Sequence, residues 1–554
     1  MRRQNFLRLA LIPLAPCALA ALAWACANWY SGSLLREGDG AFSARPATRF
    51  AAAVEKLAPA SDLKAVNSSE GWTESATAAV TLLHRALFLD PKPADPAAAE
   101  KSLRAFADWR ASLLTPPSDT YRHRPYTTFY QPELSSLGTA EFSVAWIPAE
   151  KALTPASLDE ITLPEEFSLY LAGAIAWAKN DSPSAQAAWE KLLALPEESR
   201  RHQGVFAAFM LGKLSAKDSR IENLPKARGY FQQTRQLAQN ASDPCGLAAA
   251  SLGEEARTYL AASPSVADFS SAAQLYLQQL ATGDYSATPS LQHVLRRLAR
   301  LNDTALQEVA RDNTLRPLFS AYLTADGGRW GEKPSDDQVR RWIRTLEASD
   351  TASPQDALLL ALLCYQQGEY FSCSRWLHKA PADAPLNHWL MARLLIREGK
   401  TTEAAALLAR TIRTLNLGDQ LQKTSSDTYE PVSPWRYEEE LLFGVDDLAL
   451  ASRIIAEHGL LAMSAEDFTA ALDDFLLSQL DEDAAYVAEF VLKTDELKSY
   501  VDPRWPADTT AAVGIQIRHL LAKRLLREQR THDAREYFPA AVREVFDQYV
   551  AHSR

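Results

Sequence analysis

The stretch Cys364–Ala380, CYQQGEYFSCSRWLHKA, decides how the rest of the chain reads. An apolar run ends at Tyr365, the segment Gln367-Gly368-Glu369-Tyr370 interrupts it, and a second run with helical spacing follows at once. Glycine beside an acidic residue between two such runs marks a tight turn between helices. Cys373 then places a small residue on the second helix, with Leu377 and Ala380 following at helical spacing. Small residues let two helices cross closely, and larger apolar ones fill the space between neighbouring pairs. The stretch predicts a helical hairpin.

The next segment, HWLMARLLIREGKTTEAAALLARTI (388–412), repeats the arrangement. Ala392 and Leu395 fall on its first helix, Gly399 in its turn, and Ala404 and Leu408 on its second. The small-residue position steps from Cys373 to Ala404, and 404 − 373 = 31. Upstream, residues 169–196 carry Gly173, Ala176, Ala185, Trp189 and Leu192 at matching offsets. Residues 206–234 carry Leu211, Gly212, Ala227 and Phe231, with a turn about three residues longer. Downstream, residues 454–476 place Gly459, Ala462, Glu466, Phe468, Ala471 and Phe475, and residues 520–542 place Ala522, Leu525, Ala534, Phe538 and Ala541.

These six units resemble degenerate tetratricopeptide repeats, helical hairpins of about 34 residues. The resemblance covers residues 160–420 and 450–550. It implies an all-α chain, an α-solenoid of degenerate hairpins that irregular steps break into two or three short stacks. It also implies a groove that accepts a segment of another protein. Trp189, Phe231 and Phe538 sit at packing positions in this register, so they are read as core and not as contact residues. The expected organisation is a leader over 1–27, a tether with helices and an aromatic loop over 28–160, and helical repeat regions over 161–324, 325–420 and 421–554.

Composition agrees with helices. Hydrophobic residues make up 47% of the 554 and charged residues 23%, while glycine numbers only 21. Alanine and leucine dominate, and both favour helix. The net charge of −11 argues against nucleic acid as a partner, because phosphate binding needs a basic surface.

The N-terminus pairs Arg2, Arg3 and Arg8 with a charge-free run from Leu9 to Tyr30. That pattern is an export signal. Three fates fit it. Cleavage after Ala27 would leave a chain of charge −11 − 3 = −14, since three positive charges depart. Retention as a signal anchor is allowed by a run of about twenty apolar residues, although Pro13 and Pro16 weaken it. Lipidation would use Cys26, behind Ala23-Trp24-Ala25. All three place the protein in the cell envelope, periplasmic or membrane-anchored and facing the periplasm. From residue 28 to 60 the chain reads as a tether, with few apolar anchors before Phe50.

Two places offer contact residues. Residues 115–163 are the least helical part, and Tyr121, Arg122, His123, Arg124, Tyr126, Phe129 and Tyr130 cluster there. A basic, aromatic loop suits a carboxylate, a sugar or a peptide, and equally a loop folded back onto the helices. Trp435 and Arg436, with Tyr437, stand in a second interruption at 425–440 and read as contacts or as a cap on a stack.

No catalytic constellation appears. HExxH, the phosphate-cradling glycine loop and GxSxG are all missing. His378 and His388 flank a proline-containing turn and read as surface residues, and Asp473-Asp474 and Glu438-Glu439-Glu440 read as solvated helix faces. Cys364 and Cys373 fall on facing helices and read as buried packing residues rather than a disulfide. The expectation is a non-enzymatic scaffold without cofactor or metal that binds a protein or peptide. The alternative is a glycan or small-ligand binder resembling the starch-utilisation lipoproteins, with an α/α-toroid glycan-active enzyme behind it.

Overall fold

The computed structural model describes residues 33–37, 50–65, 81–83, 85–87, 95–114, 163–217, 221–261, 263–325, 334–349, 353–418, 447–509, 511–539, 542–543 and 547. Among them the regular elements are helices. In chain order these are α1 (Leu34–Glu37), α2 (Phe50–Leu57), α3 (Pro96–Leu114), α4 (Glu165–Ala178), α5 (Ser182–Leu193), α6 (Gly204–Ala216), α7 (Leu224–Ala238) and α8 (Leu247–Tyr259). There follow α9 (Val266–Ala281), α10 (Ala287–Leu298), α11 (Asp303–Arg311), α12 (Leu315–Thr324), α13 (Asp336–Ser349), α14 (Pro354–Gln366), α15 (Tyr370–Leu377) and α16 (Pro385–Arg397). The last are α17 (Thr401–Thr414), α18 (Asp447–Ser464), α19 (Phe468–Leu477), α20 (Asp481–Tyr486), α21 (Thr494–Val501), α22 (Ala512–Arg527) and α23 (Thr531–Tyr537). Within each compact unit most successive helices pack on one another, which makes the architecture solenoid-like. The chain forms two compact units, Ala53–Tyr322 and Leu323–Arg554, the second including the N-terminal segment up to Ala52.

One hairpin turn recurs six times. It spans three residues after α4, α14, α16, α18, α19 and α22. Its middle residue takes the left-handed conformation: Asn180, Gly368, Gly399, Glu466, Gln479 and Gln529, with φ from 60° to 77°. The N–H of the next residue then reaches back five positions: Asp181 to the carbonyl of Ala176, Glu369 to Cys364, Lys400 to Leu395, Asp467 to Ala462, Leu480 to Phe475, and Arg530 to Leu525, at 2.8–2.9 Å. This closure satisfies carbonyls that the helix end would leave orphaned.

Each turn sits seven residues after a small residue on the first helix of its hairpin wherever the repeat offsets apply: Gly173, Ala361, Ala392, Gly459 and Ala522. Twelve residues beyond that small residue comes another: Ala185, Cys373, Ala404, Ala471 and Ala534, all fully buried. Sixteen beyond comes the large partner: Trp189, Leu377, Leu408, Phe475 and Phe538, also buried. The hairpin α6–α7 keeps the pattern with a longer turn, through Gly212, Ala227 and Phe231. A methyl group at Gly173 would stand 2.3 Å from the Trp189 ring, and one at Gly212 2.5 Å from Phe231. Glycine is therefore required at these two positions, where an aromatic ring lies directly against the first helix.

The segment read as a tether is anchored earlier than its composition suggests. Leu34 is fully buried in the core of the C-terminal hairpins, among Leu460, Phe475, Leu480 and Leu497. Asp483 of α20 fixes it there, accepting from the backbone N–H of Leu34 at 2.7 Å and of Leu35 at 3.2 Å. A single leucine does what a longer apolar run would do, and one leucine carries no periodic signal.

Candidate functional site

Tyr121, Arg122, His123, Arg124, Tyr126, Phe129, Tyr130, Trp435, Arg436 and Tyr437 lie outside the described residues, as do Glu438, Glu439 and Glu440. The candidate surface that the described residues carry is elsewhere, in the unit Ala53–Tyr322.

It is built by the first helices of three consecutive hairpins. On α4 the residues Tyr170, Ala174 and Trp177 recur at helical spacing and are half-buried. On α6 the same stripe reads Phe206, Met210 and Lys213 and continues to Lys217 just past the helix end, and on α8 it reads Ala250, Glu254 and Arg257. Residues at i, i+4 and i+7 share one helix face, so each helix shows one stripe. The stripes meet. The Tyr170 and Phe206 rings are 5.9 Å apart, edge to face. The Lys217 ammonium stands over the Trp177 ring at 4.7 Å. Lys213 pairs with Glu254 at 3.7 Å, and Glu254 also takes Arg257 at 3.2 Å. Beneath them, buried Trp189 lies 6.5 Å from Tyr170 and 6.3 Å from Trp177, and its indole N–H donates to the Tyr170 carbonyl at 3.2 Å. The face joins three aromatic rings to three cations and one carboxylate. Its aromatics sit outside the repeat's packing positions, and that is why the repeat offsets pass over them.

Glu166, at the start of α4, is buried and accepts from the backbone N–H of His202 at 3.0 Å and of Gln203 at 2.9 Å. It thereby ties the first hairpin to the start of α6. Burial pushes its carboxyl up to about 7, against the pull of those two donors.

In the unit Leu323–Arg554, charge is gathered inside. Glu457 is fully buried and accepts from Arg393 at 2.6 Å, Arg453 at 2.6 Å and the Trp389 indole N–H at 3.0 Å. Burial opposes its charge, yet the two guanidinium groups hold its carboxyl below the usual range. Arg393 also stacks on Trp389 at 4.5 Å. These groups are closed off from solvent, so they bind helices α16 and α18 to each other rather than a ligand. Breaking such a pair strands a buried charge.

Other sequence candidates resolve individually. His378 contacts the Ser374 carbonyl at 2.7 Å and His388 the Thr411 hydroxyl at 3.0 Å, each within its own surroundings. Asp473 is exposed as expected, but Asp474 is largely covered and contacts His458 at 2.6 Å, so only half of that acidic pair is a solvated face. Cys364 and Cys373 are buried, unbonded thiols. Burial pushes the Cys373 thiol up to about 12 and raises that of Cys364 as well, which leaves both unreactive. Among the described residues no group of three or more His, Cys, Asp or Glu is placed to hold a metal ion.

The chain matches no protein-family model, and no curated protein matches it.

Proposed function

We propose that this protein is an exported or membrane-tethered helical-repeat scaffold of tetratricopeptide type that binds a protein or peptide partner. The observation that carries the proposal is the aligned face of Tyr170, Trp177, Phe206, Lys213, Lys217 and Arg257 on three successive first helices. Rigid aromatic rings beside cations are what anchors an extended segment in a repeat groove, since a few such groups supply most binding energy. Three cations against Glu254 alone favour a segment carrying carboxylates. Export or tethering rests on the charge-free run Leu9–Tyr30 behind its arginines. No helix among the described residues is long and apolar enough to cross a membrane, and that run lies outside them.

The test is an in-cell crosslink of the tagged full-length chain, with co-purifying proteins identified by mass spectrometry. A stoichiometric partner lost in Trp177→Ala and in Lys217→Glu, with the circular dichroism melt unchanged, supports the reading. A partner retained by both variants removes this face from the function. A preparation with no partner turns the question to glycan or small-ligand binding, and to residues 121–130.

A further inference from the structure

The C-terminal hairpins carry a second exposed feature that the repeat packing does not use. Helix α20 passes directly into one turn of π-helix, Val487–Val491. Such turns are rare, and each projects side chains that a regular helix would place elsewhere. Here the end of α20 and the turn together present two aromatic rings to solvent. Tyr486 is 49% exposed and Phe490 is 69% exposed, with ring centroids 5.7 Å apart. Between them in sequence, Glu489 is held by Lys523 at 2.7 Å and Arg527 at 3.2 Å, both from α22 and both substantially exposed. Two cations on one carboxylate leave the rim positive. Asp481 and Glu482 stand at the far end of α20.

The position of this patch along the tether gives it an occupant. Ser33 and Leu34 are fixed to Asp483, three residues before Tyr486 on the same helix. The apolar run of the leader ends at Tyr30, three residues before Ser33. Three extended residues reach about 10 Å. Were Cys26 lipidated instead, seven residues would reach about 25 Å. Either attachment keeps Ser33, and with it α20, within about 25 Å of the bilayer surface. Tyrosine and phenylalanine beside lysine and arginine are the side chains that settle at the lipid headgroup level.

We propose that Tyr486, Phe490, Lys523 and Arg527 form a membrane-resting face, seated in the headgroup region of an anionic bilayer beside the point of attachment. The inference rests on the tethered reading given above, and one experiment separates the two. The photocrosslinking amino acid p-benzoylphenylalanine is placed at Phe490, and in a second chain at Phe371, an apolar side chain 85% exposed in the same unit. Each full-length chain is reconstituted into phosphatidylcholine and phosphatidylglycerol vesicles carrying an alkyne-tagged phosphatidylcholine, floated on a gradient and irradiated. The expected result is lipid crosslinking from position 490 at about ten times the yield from position 371. Lys523→Glu with Arg527→Glu should lower that yield, as should vesicles without phosphatidylglycerol. A chain that floats but crosslinks at 490 to protein, or to nothing, overturns the membrane-resting face and leaves the tether standing. A chain that does not float overturns the tether and this proposal together.

Discussion

The hairpins α14–α15 and α16–α17 and the hairpins α4–α5 and α18–α19 solve one geometric problem in two ways. In the first two, glycine occupies the turn, as Gly368 and Gly399, and buried alanine and leucine take the crossing positions, Ala361 with Leu377 and Ala392 with Leu408 by offset. In the other two, glycine has moved into the first helix, as Gly173 and Gly459, where it admits Trp189 and Phe475. Their turns then use Asn180 and Glu466 in the left-handed conformation. Glycine in the turn relieves backbone strain, whereas glycine in the helix sacrifices helix propensity to admit a large ring. The fold tolerates either placement because hairpin geometry depends on backbone closure and on the summed volume at the crossing, not on one residue type.

The comparison breaks most severely at the large ring. Trp189→Ala should destabilise the unit by about 3–5 kcal/mol, because Gly173 has no side chain to fill the vacated space. Urea unfolding followed by circular dichroism measures it. An unchanged midpoint would mean that the hairpin register is wrong.

The next largest effect is a pH dependence private to the first hairpin. Position 166 lies seven residues before Gly173, and the corresponding residues of α14 and α16 are Pro354 and Pro385, which carry no titratable group. Burial raises Glu166 from 4.5 to about 7, so its stabilising contribution is complete below pH 4.5 and is lost as pH rises through 7. At about 1.4 kcal/mol per tenfold, the loss between pH 5 and 8 is on the order of 2–3 kcal/mol. Glu166→Gln keeps an acceptor for both backbone donors and should flatten that loss. A variant melting with the same pH slope as the parent chain would rule out Glu166 as its source.

A third experiment converts one solution into the other. Gly173→Ala alone forces a methyl group into the Trp189 ring and should cost about 1–3 kcal/mol. Trp189→Leu alone leaves a void. Together they recreate the pairing of residue types at Ala361 and Leu377, so the double variant should lose less than the sum of the singles, by roughly 1–2 kcal/mol. Additive losses would show that the two positions do not meet.

Most of the fold was legible, and the reason lies in these offsets. Steps of twelve and sixteen residues from a small residue survive any exchange between glycine and alanine or between leucine and an aromatic. The helices from α8 to α12 carry no matching offsets in sequence, since their connections differ in length. Contact sites were less legible. Tyr170, Trp177 and Phe206 look like ordinary core aromatics in sequence, and only the parallel alignment of α4 with α6 shows them half-exposed. The docking of Leu34 on Asp483 pairs residues 449 positions apart, beyond the reach of any local pattern.

The smallest effect tests the turn itself. Gln529 is exposed and holds φ at 63°. A side chain in that conformation costs about 1 kcal/mol relative to glycine, and part of the gain from removing it is lost to the greater freedom of unfolded glycine. Gln529→Gly should therefore stabilise the last hairpin by about 0.5 kcal/mol. Gly399→Ala should do the reverse in the middle hairpin, by about 1 kcal/mol, at a site where a methyl group meets nothing within 4 Å. Because that space is open, any loss there reports backbone strain alone. If both substitutions moved stability in the same direction, the recurring left-handed turn would not be what these hairpins share.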